Sequence, residues 1–111
     1  MATDHLGEFE QLVLLSVFRL GEKAYGVTIR QEIERRAGRN VTIGALYTTL
    51  DRLEVKGYLY SWFADPTPRR GGRSKRYFRL LPAGEQALLN YKAMLDRMWF
   101  GIRLKGGEPN A

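Results

Sequence analysis

Arg69, Arg70, Arg73, Lys75, Arg76 and Arg79 fall within fifteen consecutive residues, 65–79, whose only acidic member is Asp65. The whole chain carries 18 basic and 12 acidic residues for a net charge of +6, so nearly all of the excess is gathered in that stretch. An excess spread evenly would serve solubility, whereas a focused one marks a place that meets a polyanion. The plainer alternative is a solvated basic loop.

Other chemistry is poorly supplied. The chain has no cysteine, which removes disulfides and cysteine-ligated metals, and its one histidine, His5, stands near the N-terminus. Glu8 with Glu10 and Glu32 with Glu34 are carboxylate pairs two apart, which diverge on a helix instead of converging on a substrate. Neither a nucleophile elbow nor a phosphate-binding loop is present. An enzyme is therefore disfavoured, and no cofactor or metal is expected.

These residues must be positioned by a small frame. At 111 residues there is room for one domain, and a 44% hydrophobic composition suits a folded chain. The longest apolar run, Leu12 to Leu15 and on past Ser16 to Phe18, falls far short of the roughly 20 residues of a membrane span. Met1–His5 lacks the basic start of a signal peptide, so a cytoplasmic location without membrane contact is expected.

Hydrophobic periodicity predicts a first helix over about Leu6–Leu20, capped by Thr3 or Asp4 and stopped by Gly21. Leu14, Leu15 and Phe18 widen its apolar face almost all round, which would bury it on several sides. A second helix is predicted from Tyr25 to Ala37, closed by Gly38. The third runs from Ile43 to Lys56 behind Thr42 as N-cap, with Ile43, Leu46, Leu50 and Leu53 facing inward. Opposite them lie Gly44, Thr48, Asp51, Arg52 and Val55, with Ala45 on the flank. That outer face is unusually small for a solvent face, and small side chains let another surface come close.

After Gly57 the pattern turns to strands at Tyr58–Ala64 and Ser74–Leu81. Pro66, Pro68 and Gly71–Gly72 between them make a long hairpin loop. A last helix starts at Pro82 and reaches about Phe100, with Leu88, Tyr91, Leu95, Met98 and Ile102 spaced like a coiled-coil seam and Trp99 widening it. This seam either packs on its own domain or forms a two-fold interface. The second is favoured because the stripe outruns the elements available to cover it.

The predicted fold class is mainly α with a β-hairpin: three helices, the hairpin and a long helix, arranged as a winged helix-turn-helix. Residues 1–81 would be the DNA-binding domain, 82–105 a continuous dimerisation helix and 106–111 a frayed tail. In this arrangement the third helix enters the major groove and the basic hairpin tip meets phosphates or a narrow minor groove. Thr42, Gly44, Ala45, Thr48 and Arg52 are the candidates for the groove, with ion pairing to a nearby carboxylate as the alternative for Arg52. Arg69, Arg70, Arg73, Lys75 and Arg76 are the candidates on the wing. Arg79, deeper in its strand, is expected to be structural. Two other readings remain: a winged helix used only for protein contacts, and an RNA binder, whose recognition helix would be wasted on a deep, narrow A-form groove.

Leu6–Gly7–Glu8–Phe9–Glu10, Ala24–Tyr25–Gly26 and Gly44 to Leu53 (GALYTTLDRL) resemble the PadR family of transcriptional regulators. So do Lys56–Gly57, Gly71 to Leu80 (GGRSKRYFRL) and Ala83–Gly84. The resemblance implies a winged helix-turn-helix, a homodimer built through the last helix, and repression of a nearby operon. It also implies that the Tyr47 hydroxyl reaches a phosphate, although the ring could equally be a core aromatic with a wet tip; Tyr25 is open in the same way. In some short members, aromatics at the dimer centre line a pocket for flat hydrophobic molecules, which makes Trp99 the candidate effector contact. Leu81 departs from the pattern, which often has a capping Thr there.

Overall fold

The computed structural model describes residues 5–64 and 74–106. Its elements are α1 (Glu8–Leu20), a 3-10 turn (Gly21–Lys23), α2 (Gly26–Ala37), α3 (Ile43–Val55), β1 (Leu59–Phe63), β2 (Arg76–Leu80) and α4 (Pro82–Trp99). This is the expected order: mainly helical with one antiparallel hairpin.

α1 is central and packs against α2, α3, α4 and β2. Val13, Leu14 and Val17 of α1 meet Ile29 and Ile33 of α2, Leu46, Leu50 and Leu53 of α3, and Leu59 and Phe78 of the hairpin in one buried core. α1 is thus buried on several sides, as expected, although Leu15 and Phe18 of its wide apolar face lie on its open side and stay exposed. Its predicted caps, Thr3 and Asp4, lie outside the described residues. Gly7 is the N-cap instead, and its amide donates to Glu10 Oε1 at 2.8 Å, closing the first turn. Ile43 also departs from expectation. It sits on the first turn of α3 at the rim of the core and is exposed, while Thr49 takes the fourth inward place.

Within the hairpin Leu59 pairs with Leu80, Ser61 with Phe78 and Phe63 with Arg76, so these side chains share the face turned to the core. Tyr60, Trp62, Tyr77 and Arg79 occupy the other face. There Tyr60, Trp62 and Tyr77 stack at about 6 Å, and Arg79, four residues into β2 and exposed, lies over the Tyr60 and Trp62 rings. The segment before α2 extends the sheet: Phe78 donates its amide to the Ala24 carbonyl at 2.9 Å, and Tyr25 bridges Tyr77. The hairpin is thereby tied to the N-terminus of α2.

α4 begins at Pro82, as its fixed φ favours. Ala87, Leu88 and Tyr91 pack on the core, but the helix then runs out over the edge of the domain with Met94, Leu95, Met98 and Trp99 exposed. It stops at Trp99. Gly101 turns the chain with φ of 80° and the Ile102 amide bonds back to the Trp99 carbonyl, so Ile102 is not the next rung of a helical seam. Residues 100–105 are irregular, not helical as expected.

Candidate nucleic-acid interface

The turn after α2 is made by Gly38, left-handed at φ 64°, and the chain reaches α3 within five residues. Thr42 caps α3 as expected: its hydroxyl oxygen accepts from the Ala45 amide at 3.1 Å. On the side of α3 turned away from the core, Gly44, Ala45, Thr48, Asp51, Arg52 and Val55 are all exposed. A methyl group built on Gly44 would meet nothing within 4 Å, so the start of this face is open space.

Arg52 lies 3.6 Å from Glu10 and is half exposed. It therefore does have the carboxylate neighbour named as its alternative, but a loose one. The tighter partner of Glu10 is Lys56, at 3.1 Å. Burial opposes ionisation of Glu10, but the Gly7 amide and the charges of Lys56 and Arg52 outweigh it and hold the carboxyl below the ordinary glutamate value. A lowered folded pKa gives stability that is complete above the unfolded value and lost as pH falls through the folded one. Glu10→Gln should thus cost about 1–2 kcal/mol at neutral pH, less than for a wholly buried pair because Arg52 and Lys56 still reach water. The deficit relative to wild type should shrink below about pH 4 in urea titrations.

Tyr25 is the N-cap of α2; its amide donates to Thr28 Oγ1 at 3.0 Å and its ring meets Tyr77 at 5.3 Å. The Lys75 ammonium stands 4.4 Å from the centre of the Tyr25 ring. The Tyr47 ring is half buried against Phe78, and its hydroxyl lies over Gly26 so closely that a Cβ there would come within 2.3 Å of it. Tyr25, Tyr47 and Lys75, far apart in sequence, thus gather at the start of α2, where unpaired amides and the helix dipole favour an anion. Only the glycine hinted at this, since it is the one residue type that leaves room for the Tyr47 ring.

On the wing, Arg76 is occupied in a way the sequence did not announce. Its guanidinium holds Asp51 at 3.0 Å, Glu54 at 2.7 Å and the Ser61 hydroxyl at 3.2 Å. Arg69, Arg70 and Arg73 lie outside the described residues. Elsewhere Glu32 is covered by Arg19, Arg35 and Arg36; the Arg36 hydrogen bond first, and then the charges of Arg35 and Arg36, hold its carboxyl low against the cost of burial. The four carboxylates considered as catalytic pairs are thus spent on ion pairs: Glu8 with Arg39, and Glu34 with Arg30, account for the other two. Among the described residues no cluster of His, Asp or Glu could hold a metal ion, and no helix is long and apolar enough to cross a membrane.

The model of the PadR-like family of transcriptional regulators matches residues 14–90, which takes in the helix-turn-helix, the hairpin and half of α4. The chain belongs to that family. It is a family of transcriptional regulators, not of enzymes. Transcriptional regulator Rv3488 of Mycobacterium tuberculosis is 36% identical over 78 residues, which cover 68% of this chain and 66% of that protein. The match thus spans about two thirds of the relative's length. A PadR-like transcription factor from Bacteroides fragilis superimposes with a TM-score of 0.67 at 27% identity, over 81% of this chain and 82% of the other. Bacillus subtilis PadR, solved in complex with operator DNA, gives the same TM-score at 17% identity and shares the fold, over 96% of this chain and 53% of its own.

Proposed function

We propose that this PadR-family regulator binds a two-fold symmetric operator in double-stranded DNA as a homodimer and represses transcription by occupying it. The observation that carries the reading is the open outer face of α3, where Gly44, Ala45 and Thr48 offer no bulk and the groove floor could come close. Thr42, Gly44, Ala45, Thr48 and Arg52 would read or line the major groove. Tyr25, Tyr47 and Lys75 would hold a phosphate at the start of α2. Arg69, Arg70 and Arg73, outside the described residues, would supply further phosphate or minor-groove contacts. That Bacillus subtilis PadR, of the same fold, was solved on operator DNA supports the assignment.

The dimer reading rests on α4. Leu88 and Tyr91 are half covered by their own core, whereas Leu95, Met98, Trp99 and the following Phe100, Ile102 and Leu104 are exposed. So long an apolar run on a small domain calls for a partner, and a second copy would satisfy it. Trp99 would then stand near the two-fold axis as the contact for a flat hydrophobic effector, able to alter the spacing of the two wings.

Selection of bound duplexes from a random pool tests this directly. A recovered site with two inverted half-sites about one helical turn apart is expected, bound by a species that sediments as a dimer. No enrichment, or a monomeric complex on a single half-site, would overturn the proposal.

A further inference from the structure

We infer that Arg76 is a positioning residue, one that fixes the wing to the recognition helix, and not a group that touches DNA. The inference rests on the DNA-binding reading of α3 and the wing. Arg76 sits at the first position of β2. All three nitrogens of its guanidinium are engaged: Nη1 with Asp51, Nη2 with Glu54 and Nε with the Ser61 hydroxyl. Ser61 donates in turn to Glu54 at 2.8 Å, so both strands of the hairpin are fastened to the same carboxylate. The guanidinium also lies over the Phe78 ring, with its carbon 4.9 Å from the centre. Only 22% of the Arg76 side chain is exposed.

Two consequences follow. Asp51 and Glu54 are three residues apart on α3 and form one side of the helix, so a single planar fork spanning them sets the angle between helix and hairpin. Any turn of the hairpin about α3 must break an ion pair at the base of the wing. The second consequence is electrostatic. Asp51 is 61% exposed on the outer face of α3, where an unneutralised carboxylate would face phosphates, and Arg76 cancels that charge. Moving Arg76 onto a phosphate would release Asp51 and undo the gain. Its neighbour Lys75 is exposed and has no ion pair to any described carboxylate, which suits it to the phosphate role that Arg76 does not take.

Arg76→Lys separates the two roles. Lysine keeps the positive charge and can serve a phosphate as a point charge, but one ammonium cannot span two carboxylates and a hydroxyl. Affinity is measured against salt for the duplex selected above and for an unrelated duplex of the same length, at temperatures where circular dichroism shows the variant folded. As a positioning residue, Arg76→Lys should lower the preference for the selected duplex about tenfold, with the slope of log affinity against log salt unchanged. Glu54→Gln, which leaves the arginine in place and loosens its anchor, should lower the preference in the same direction. The inference is overturned if Arg76→Lys keeps the full preference while Arg76→Met reduces the slope by about 0.9, the signature of one lost phosphate contact. Failure of the wild-type protein to prefer any duplex would instead sink the DNA-binding reading itself, an outcome distinct from either result with the variants.

Discussion

Gly44→Glu should leave the thermal midpoint of the protein within a few degrees of wild type and weaken duplex binding by at least about a hundredfold. The position is the second residue of α3, and a Cβ placed there has nothing within 4 Å, so no neighbour must move to admit the side chain. A carboxylate in the first turn interacts favourably with the positive end of the helix dipole, worth about 0.3–1 kcal/mol, and replacing glycine inside a helix adds about 0.5–1 kcal/mol. The fold therefore has no reason to object. DNA does, because the same carboxylate would stand at the closest point of approach to the groove, beside Ala45 and Thr48. A hundredfold loss corresponds to about 2.7 kcal/mol, within reach of a buried, unpaired charge facing phosphates. Fluorescence anisotropy on the selected duplex, with a melting curve on the same sample, checks both halves. Retained binding would favour a winged helix that uses this face for protein contacts or not at all, whereas loss of both folding and binding would mean that the space at Gly44 is filled.

The frame of this molecule was legible because its signals are local. The glycines at 21 and 38, Thr42 before α3 and Pro82 at the head of α4 each cap or break a helix for reasons internal to a few residues, and the structure uses all four in that way. What was less legible depends on partners distant in sequence. Nothing near Arg76 tells that Asp51 and Glu54 will face it, since the pairing is made only when the hairpin folds back on α3. Glu10 likewise reads as one of two first-turn carboxylates, and its burial beneath Lys56 comes from a contact 46 residues away. Periodicity failed at the ends of its own stripes. Ile43 is in phase with the core but lies where the core has run out, and Ile102 is in phase with a helix that Gly101 has already turned. The glycine could have warned of the second case, because glycine just past a periodic run is a helix stop.

Gly84→Ala is expected to lower stability by about 3 kcal/mol, the upper end of what an added core methyl costs, although alanine is ordinarily the better helix residue. Gly84 is the one buried residue of α4, and a Cβ on it would lie 2.5 Å from the Tyr58 carbonyl oxygen and 2.7 Å from a Leu80 methyl. The carbonyl cannot easily withdraw. It belongs to backbone at the head of β1 and already accepts the Leu81 amide at 2.9 Å, the bond that leads the chain into α4. The methyl must therefore lift the first turn of α4 off the hairpin, and Ala87, Leu88 and Tyr91 lose their seat on the core in the same movement. For a domain of this size the midpoint should fall by roughly 10–20 °C at matched protein concentration. Gly44→Ala is the control: the same chemical change on a helix, but into open space, should raise the midpoint slightly. A midpoint for Gly84→Ala within 2 °C of wild type would show that α4 leaves the domain by another route. Because α4 carries the exposed apolar run, tilting it should also change the spacing between the two recognition helices of a dimer. Operator affinity should then fall further than the stability loss alone accounts for, with the contacts of each half-site left intact.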